Sequence, residues 1–421
     1  PNDENDLFQA LPEWLVSIPE GRPLCLILDG LNQYTGETQR LMAMMPEGMG
    51  ASVRILVSVL AGDELDYLET REWPQHKIQP LNETRRVALI DSYLGSYNKT
   101  LPDSLVKQVS VPAQSSNPLY LKILLDELRV DARHEDLSKR IEEYLQADSP
   151  KTLYQQVITR WQQDYGRELT ERVLSLIWGG RYGLSYDELR HIADTNQMDL
   201  SRLIFGMGEH LGEISGLHVF MHDALRQAVE AIFIASEDNE HTIRQDLITH
   251  FESSEVSQRQ IDELPWLYVQ NNNKSKLNDY LAELLVFLSF IERNNYEVEF
   301  FSYWRQAECD IVEMHERYLT KIGELKAEES NKKGYVYACV AKFFYFIAAY
   351  PQSLTLHQQA LAILRNSLGE QHPDVAQSLN YIATIYQSQG DYEQALDLHQ
   401  QALAIRKGSL GDQHPDVAQS L

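Results

Sequence analysis

Basic residues, cysteines and long apolar runs are scarce in this sequence, and each scarcity removes a class of function. Lys and Arg number 37 against 62 Asp and Glu, a net charge of -25. Such a chain repels phosphate backbones and anionic lipid, and no Lys/Arg block offsets it, so neither nucleic acid nor membrane is an expected partner. The three cysteines, Cys25, Cys309 and Cys339, are far apart and odd in number. That excludes a disulfide framework and a CxxC-type zinc site, and it fits a reducing, cytoplasmic setting. The longest apolar stretch, around Leu284–Ile291, is about eight residues, whereas a spanning helix needs about 20. No G-x-S-x-G elbow or reactive cysteine setting occurs, so a Ser or Cys hydrolase has no supporting constellation. With no leading Met and an end at Leu421 inside a repeated unit, the chain is expected to be a fragment of a longer protein.

What is present is enough apolar material for several cores: 421 residues, 43% hydrophobic and 10% aromatic. The strongest signal is a repeat. Residues 356–379 read LHQQALAILRNSLGEQHPDVAQSL and residues 398–421 read LHQQALAIRKGSLGDQHPDVAQSL, identical at 20 of 24 positions with a period of 42. Within each unit, His372-Pro373-Asp374 opens one helix, with proline where a missing N–H costs little. Leu379, Ile382, Ala383 and Tyr386 then recur at helical spacing. Gln389-Gly390-Asp391 breaks the chain, and a second helix carries Ala395, Leu396, Ala402, Leu403 and Ile405. Ala341, Phe344, Tyr350 and Leu354 repeat the pattern one period earlier. So short a helix pair cannot bury its apolar face alone, so the units must stack. This resembles the tetratricopeptide repeat (TPR) in the 42-residue form of kinesin light chains. The resemblance covers residues 332–421 and implies a concave surface for a protein or peptide ligand. Asn380 and Gln387 are the candidate contacts, or else solvated polar positions.

Near the other end, PLCLILD (residues 23–29) reads as a buried parallel strand ending in Asp29, and VRILVSV (residues 53–59) as its neighbour, with Ser58 near its end. A helix over about Glu37–Met45 would make them a βαβ unit. Ligands of such sheets sit beyond the carboxyl ends of the strands. An apolar strand ending in Asp has the form of a Walker B element, whose carboxylate holds the Mg²⁺ of a nucleotide; helix capping or turn chemistry accounts for many such aspartates. No G-x-x-x-x-G-K-[ST] occurs in the 421 residues.

The order LILDGLNQ, RILVSV, IQPLNETRRVALIDSYL, NPLYLKILLDELR resembles the NACHT-type STAND NTPases, in the branch of nephrocystin-3 and telomerase-associated proteins. That resemblance implies Asp29 as the Walker B acid, Ser58 at the sensor position without a following Arg, and Asn32 where relatives carry a second acid. It implies that Pro118, in Asn117-Pro118-Leu119, packs on adenine; a helix-initiating proline with Asn117 as cap fits the same residues. Farther on, Ser185 and Glu188 form a capping box. A strand pair turning at Ser215-Gly216 and a following helix complete the outline of a winged helix. Met221-His222-Asp223 matches the MHD motif, which implies that His222 contacts the β-phosphate of ADP; capping of the next helix by His222 and Asp223 is the other reading. His218 and His222 read as one face of a strand rather than a metal pair.

The expected fold is mainly α. The C-terminal part of a P-loop α/β NTPase occupies 1–80, a helical domain 81–148, a winged helix 149–240, a helical arm 241–331 and repeats 332–421. The resemblance implies a switch holding ATP or ADP with Mg in the full-length parent, released by a partner on the repeats and ending in self-association. This fragment, lacking a phosphate cradle, should not hydrolyse ATP. The other expectation is a TPR adaptor with a degenerate NTPase region.

Overall fold

The protein's computed structural model describes residues 13–19, 21–31, 52–71, 73–130, 137–293, 296–326, 330–411 and 417. The chain divides into two compact units, Pro1–Pro80 and Leu81–Leu421. In the first, β1 (Leu24–Leu28) and β2 (Val53–Val57) pair in parallel, Leu24 opposite Val53 and Leu28 opposite Val57, and α1 (Asp63–Glu69) follows. Leu26, Leu28, Ile55 and Val57 pack against a small core of Leu15, Leu31, Val53 and Leu68. Side chains alternate along a strand, and the opposite face is open, with Ile27 63% and Leu56 61% exposed. The expectation of buried strands is therefore corrected: apart from Val53, one face is half-buried and the other exposed. The helix expected over Glu37–Met45 and the position of Asn32 lie outside the described residues.

The second unit is almost wholly helical. It opens with α2 (Glu83–Ser96), α3 (Asp103–Ser110), α4 (Pro118–Val130) and α5 (Leu137–Tyr144). Local chemistry starts these helices where the sequence places it. Asn82 accepts from the Arg85 amide, and Asn117 accepts from the amides of Leu119 and Tyr120 at 2.9 and 3.2 Å, each meeting N–H groups that a helix start leaves without partners. Next come α6 (Pro150–Tyr165), opened by a Ser149–Thr152 capping box, and α7 (Arg167–Gly179).

A compact α/β segment follows: β3 (Leu184–Ser185), α8 (Tyr186–Ile192), α9 (Gln197–Met207), β4 (Leu211–Ile214) and β5 (Leu217–Phe220). The strands form an antiparallel sheet of order β3-β5-β4. The Ser185–Glu188 capping box is formed in both directions. Ser215 and Gly216 both take positive φ, 53° and 82°, as the tight hairpin turn between right-twisted strands requires. Gly183 has φ +86°, and a Cβ there would lie 2.2 Å from the His218 carbonyl oxygen, so β3 approaches β5 only because this residue has no side chain.

The remaining helices run α10 (Asp223–Phe233), α11 (Glu237–Glu252), α12 (Gln258–Gln270), α13 (Lys274–Ala282), α14 (Leu284–Ile291), α15 (Tyr296–Gln306) and α16 (Ile311–Gly323). The apolar run Leu284–Ile291 is thus a two-turn core helix, and Phe287, Phe290, Phe300, Trp304 and Phe343 pack ring against ring around it. Two hairpins end the chain: α17 (Ser330–Phe346) with α18 (Tyr350–Leu368), and α19 (Pro373–Ser388) with α20 (Tyr392–Leu410). Their starts, Tyr350 and Tyr392, are 42 residues apart. Ala341, Ala360, Ala376, Ala383 and Ala402 are fully buried, so small side chains set the close spacing of the helices. One continuous core runs from Ile90 on α2 to Ile405 on α20. Among the described residues no helix is long and apolar enough to cross a membrane.

Candidate functional site

The repeats supply the most complete candidate surface. α18 packs against both α17 and α19, the first helices of the two hairpins, which also touch each other. Between these helices and the α14–α15 junction lies a cavity of about 340 Å³. Tyr296, Tyr335 and Tyr381 form aromatic walls, and Lys342 and Asp374 add opposite charges. His357 and Ser378 also line it although each is 1% exposed, and neither His357 ring nitrogen nor the Ser378 hydroxyl meets a protein partner. The His357 ring stacks on Tyr381, centroids 4.9 Å apart and planes 9° apart. Burial pushes its pKa down to about 3, so the imidazole is neutral, with one donor and one acceptor nitrogen.

The two contact residues expected on the repeats divide. Gln387 is exposed and open to a partner. Asn380 is half-buried, and its Oδ1 lies 2.9 Å from His399 Nδ1 on α20, so it spends one polar atom inside its own hairpin.

In the first unit, Asp29 and Ser58 end adjacent strands and meet. The Ser58 hydroxyl donates to the Asp29 carboxylate, and the Gly30 amide donates to Ser58 Oγ at 2.7 Å. Both side chains are exposed.

Pro118 and His222 lie in the second unit. Pro118 is the exposed first residue of α4, capped by Asn117. His222 lies beyond β5, which corrects its placement on a strand face with His218, and it occupies the position before α10 without making a capping bond. Asp223 is inside α10, and its carboxylate accepts from Gln227 instead, so the capping reading of His222 and Asp223 is also corrected. Burial and the positive charge of Lys122 lower the His222 pKa, against the opposing pull of Asp126. Lys122 and Asp126 are both on α4, so His222 lies within electrostatic reach of the helix that Pro118 opens.

Sequence reasoning passed over a polar cluster at this place. Asp126 is 3% exposed; Tyr93 donates to it, and Lys122, Arg129 and His210 lie 3.6, 3.7 and 3.9 Å away. Lys122 also pairs with Glu209 at 3.0 Å, and the Tyr154 hydroxyl sits 3.1 Å from His210 Nδ1. Burial drives the His210 pKa down to about 4. The only sequence signal was the interruption of an apolar helix face at Asp126, since its partners come from residues 93 to 210.

Comparison with known proteins agrees with the repeats. Residues 244–421 match the family model of the nephrocystin-3 TPR domain. The chain therefore carries a TPR domain related to that of nephrocystin-3, and the match begins in α11, well before the near-identical units. A TPR repeat-containing protein of Dictyostelium discoideum is 27% identical over 312 residues, 72% of this chain and 19% of its own length. Mouse nephrocystin-3 is 25% identical over 404 residues, 91% of this chain and 30% of its own. The chain thus spans less than a third of these relatives. A solved structure from Pyrococcus horikoshii, a Signal Transduction ATPase with Numerous Domains (STAND) protein with a tetratricopeptide repeat sensor, aligns over 99% of this chain and 68% of its own. Its TM-score of 0.44 and 15% identity are too low to define a common fold.

Proposed function

We propose that this chain is a protein-binding scaffold whose TPR repeats take up a segment of a partner protein or peptide, with the preceding domains as support. The observation that carries the reading is the pair of stacked hairpins, α17–α18 and α19–α20, with polar and aromatic side chains gathered in the cavity between them. Stacked repeats create extended binding surfaces. The exposed free thiol of Cys25 suits a reducing, cytoplasmic setting. The test is selection of peptides from a random display library on the full chain, followed by hydrogen–deuterium exchange. Protection concentrated in residues 330–388 is expected. Ligands that protect only residues before 244 would overturn the reading.

A second reading, the nucleotide switch, is favoured by one observation: His222 feels the charges of Lys122 and Asp126, both on α4, the helix opened by Pro118. In this reading the sheet β3-β5-β4 with α7–α9 is a winged helix over residues 149–240. Residues 81–148 are a helical domain, 241–331 an arm, and 1–80 the end of a NACHT-type STAND core. Asp29 suits Mg²⁺, being a carboxylate at the carboxyl end of a parallel strand, but no G-x-x-x-x-G-K-[ST] is among the 421 residues to hold the β- and γ-phosphates. The fit is partial, and the scaffold is the better supported reading. ADP titrated calorimetrically into this chain and into a His222→Ala variant tests the part of the switch carried here: weak binding lost in the variant supports it, and binding unchanged in the variant, or absent from both, removes His222 as a nucleotide contact of this chain.

A further inference from the structure

The cavity beside His357 has a counterpart in the next repeat, and the comparison shows what it lacks. His357 and His399 are equivalent, 42 residues apart, on α18 and α20. In the second hairpin, the carboxamide oxygen of Asn380 meets His399 Nδ1 at 2.9 Å. An oxygen can only accept, so the imidazole donates. The position equivalent to Asn380 in the first hairpin is Ala338. Ala338 and His357 both line the cavity, and both nitrogens of His357 are without protein partners. One hairpin thus fills with its own carboxamide the place that the other leaves open.

We propose that this cavity binds the side-chain carboxamide of an asparagine or glutamine in a peptide partner, which makes with His357 the bond that Asn380 makes with His399. The proposal rests on the peptide-binding reading above and deepens it. The cavity's volume, about 340 Å³, is at the small end of ligand pockets, the size for one inserted side chain rather than a cofactor. A neutral imidazole and the Ser378 hydroxyl together offer donors and acceptors, and a carboxamide carries both. A carboxylate can accept from the imidazole but has no N–H to give, and it would bring a charge in beside a buried, neutral ring; leucine would meet neither His357 nor Ser378. Stacking on Tyr381 holds the His357 ring in one plane, so the site is preorganised. Leaving a buried polar group unmet is unfavourable, which makes selection for the carboxamide a matter of which ligand answers these atoms.

The test uses the full chain labelled with ¹⁵N-histidine, titrated with the N-acetyl, N-methylamide derivatives of glutamine, asparagine, leucine and glutamate. The expected result is a saturable shift of the His357 ring nitrogens with glutamine and asparagine and none with leucine or glutamate. Ala338→Asn should abolish the response, leave the His399 signals in place and raise the thermal midpoint. His357→Phe, which keeps the stack on Tyr381, provides a second variant that should also lose binding. No saturable shift in the unmodified chain, an equal response to leucine, or a response surviving Ala338→Asn would overturn the proposal and leave a cavity that takes up water alone. Peptides selected from the library separate the two levels. A selected ligand that binds Ala338→Asn as tightly as the unmodified chain overturns the cavity proposal only, whereas failure to select any ligand on residues 330–388 overturns the scaffold reading beneath it.

Discussion

Replacing Glu263 should disconnect the small sheet from the helices that lead into the repeats. Glu263 is fully buried on α12 and accepts three hydrogen bonds: from the Arg181 and Tyr182 amides at 2.8 and 3.0 Å, and from Arg259 at 2.7 Å. Arg259 in turn holds both oxygens of Glu188, at 2.9 and 3.1 Å, and the Gly183 carbonyl at 2.7 Å. One carboxylate therefore anchors the strand that enters the sheet and the arginine that braces the capping box of α8. Removing one partner of a buried pair costs about 3–5 kcal/mol. Glu188 still faces Arg259 in a Glu263→Ala variant, which points to the lower end, about 3 kcal/mol, of that range. Glu263→Gln distinguishes charge from volume. It keeps the shape, but its NH₂ group faces an N–H donor from which the carboxylate oxygen accepted, so it should recover less than half of the loss. The measurement is urea unfolding by circular dichroism, with hydrogen exchange over residues 180–192 to locate the effect. A Glu263→Gln variant within about 0.5 kcal/mol of the parent, the range of an ordinary surface change, would refute the argument.

Three further outcomes follow from the same geometry. Burial lowers the pKa of His210 to about 4 and of His357 to about 3. The unfolded chain then binds more protons below the ordinary histidine value of about 6.5, so their stabilising contribution, complete above that pH, is lost as pH falls through 4 and 3; His210→Phe should flatten the slope of stability against pH in this window. Glu188 acts in the same direction. Burial alone would raise its pKa, but the bonds from Arg259 and the Ser185 amide lower it, so its contribution is present above the ordinary carboxylate range and is lost on acidification. Asn117→Ala removes the cap of α4 and should cost about 1 kcal/mol, measured by thermal unfolding; an unchanged midpoint would show that water replaces the cap. Gly183→Ala should cost more than about 1 kcal/mol, because the position has positive φ and the His218 carbonyl stands where the methyl would go, and a soluble variant with unchanged exchange in β5 would contradict this.

Features set by neighbouring residues were readable directly. The capping box at Ser185, the turn at Ser215-Gly216, the cap at Asn117 and the 42-residue hairpins depend on spacings within a few turns of helix, and the structure has each in place. The parallel pairing of the first two strands was readable for the same reason, but their burial was not: alternation decides which face is covered, and the apolar run looked alike on both. Asp126 and Glu263 went unnoticed because decisive partners are distant in sequence: Tyr93 and His210, 33 and 84 residues from Asp126, and the Arg181–Tyr182 loop, 81 to 82 residues from Glu263. Nothing local marks either acid as buried. His222 had a readable motif, yet only the fold shows it beside Lys122 and Asp126 rather than capping α10.

The repeats show where binding chemistry can be sought in a stacked array. The second helices of the two hairpins, α18 and α20, share the run LHQQALAI, because stacking demands the same small and apolar side chains at the same places. Discrimination between ligands must then arise where units differ. Ala338 against Asn380 and Cys339 against Tyr381 are such differences, and they are adjacent in sequence. The first opens the space beside His357; in the next unit, Tyr381 supplies the ring against which that histidine stacks. The cavity therefore belongs to the junction of two unequal repeats rather than to either one. Changing Ala338 to Asn makes the units more alike and should increase stability while removing the site. A gain in stability accompanied by a loss of binding is the signature expected when an open polar position is kept for a ligand.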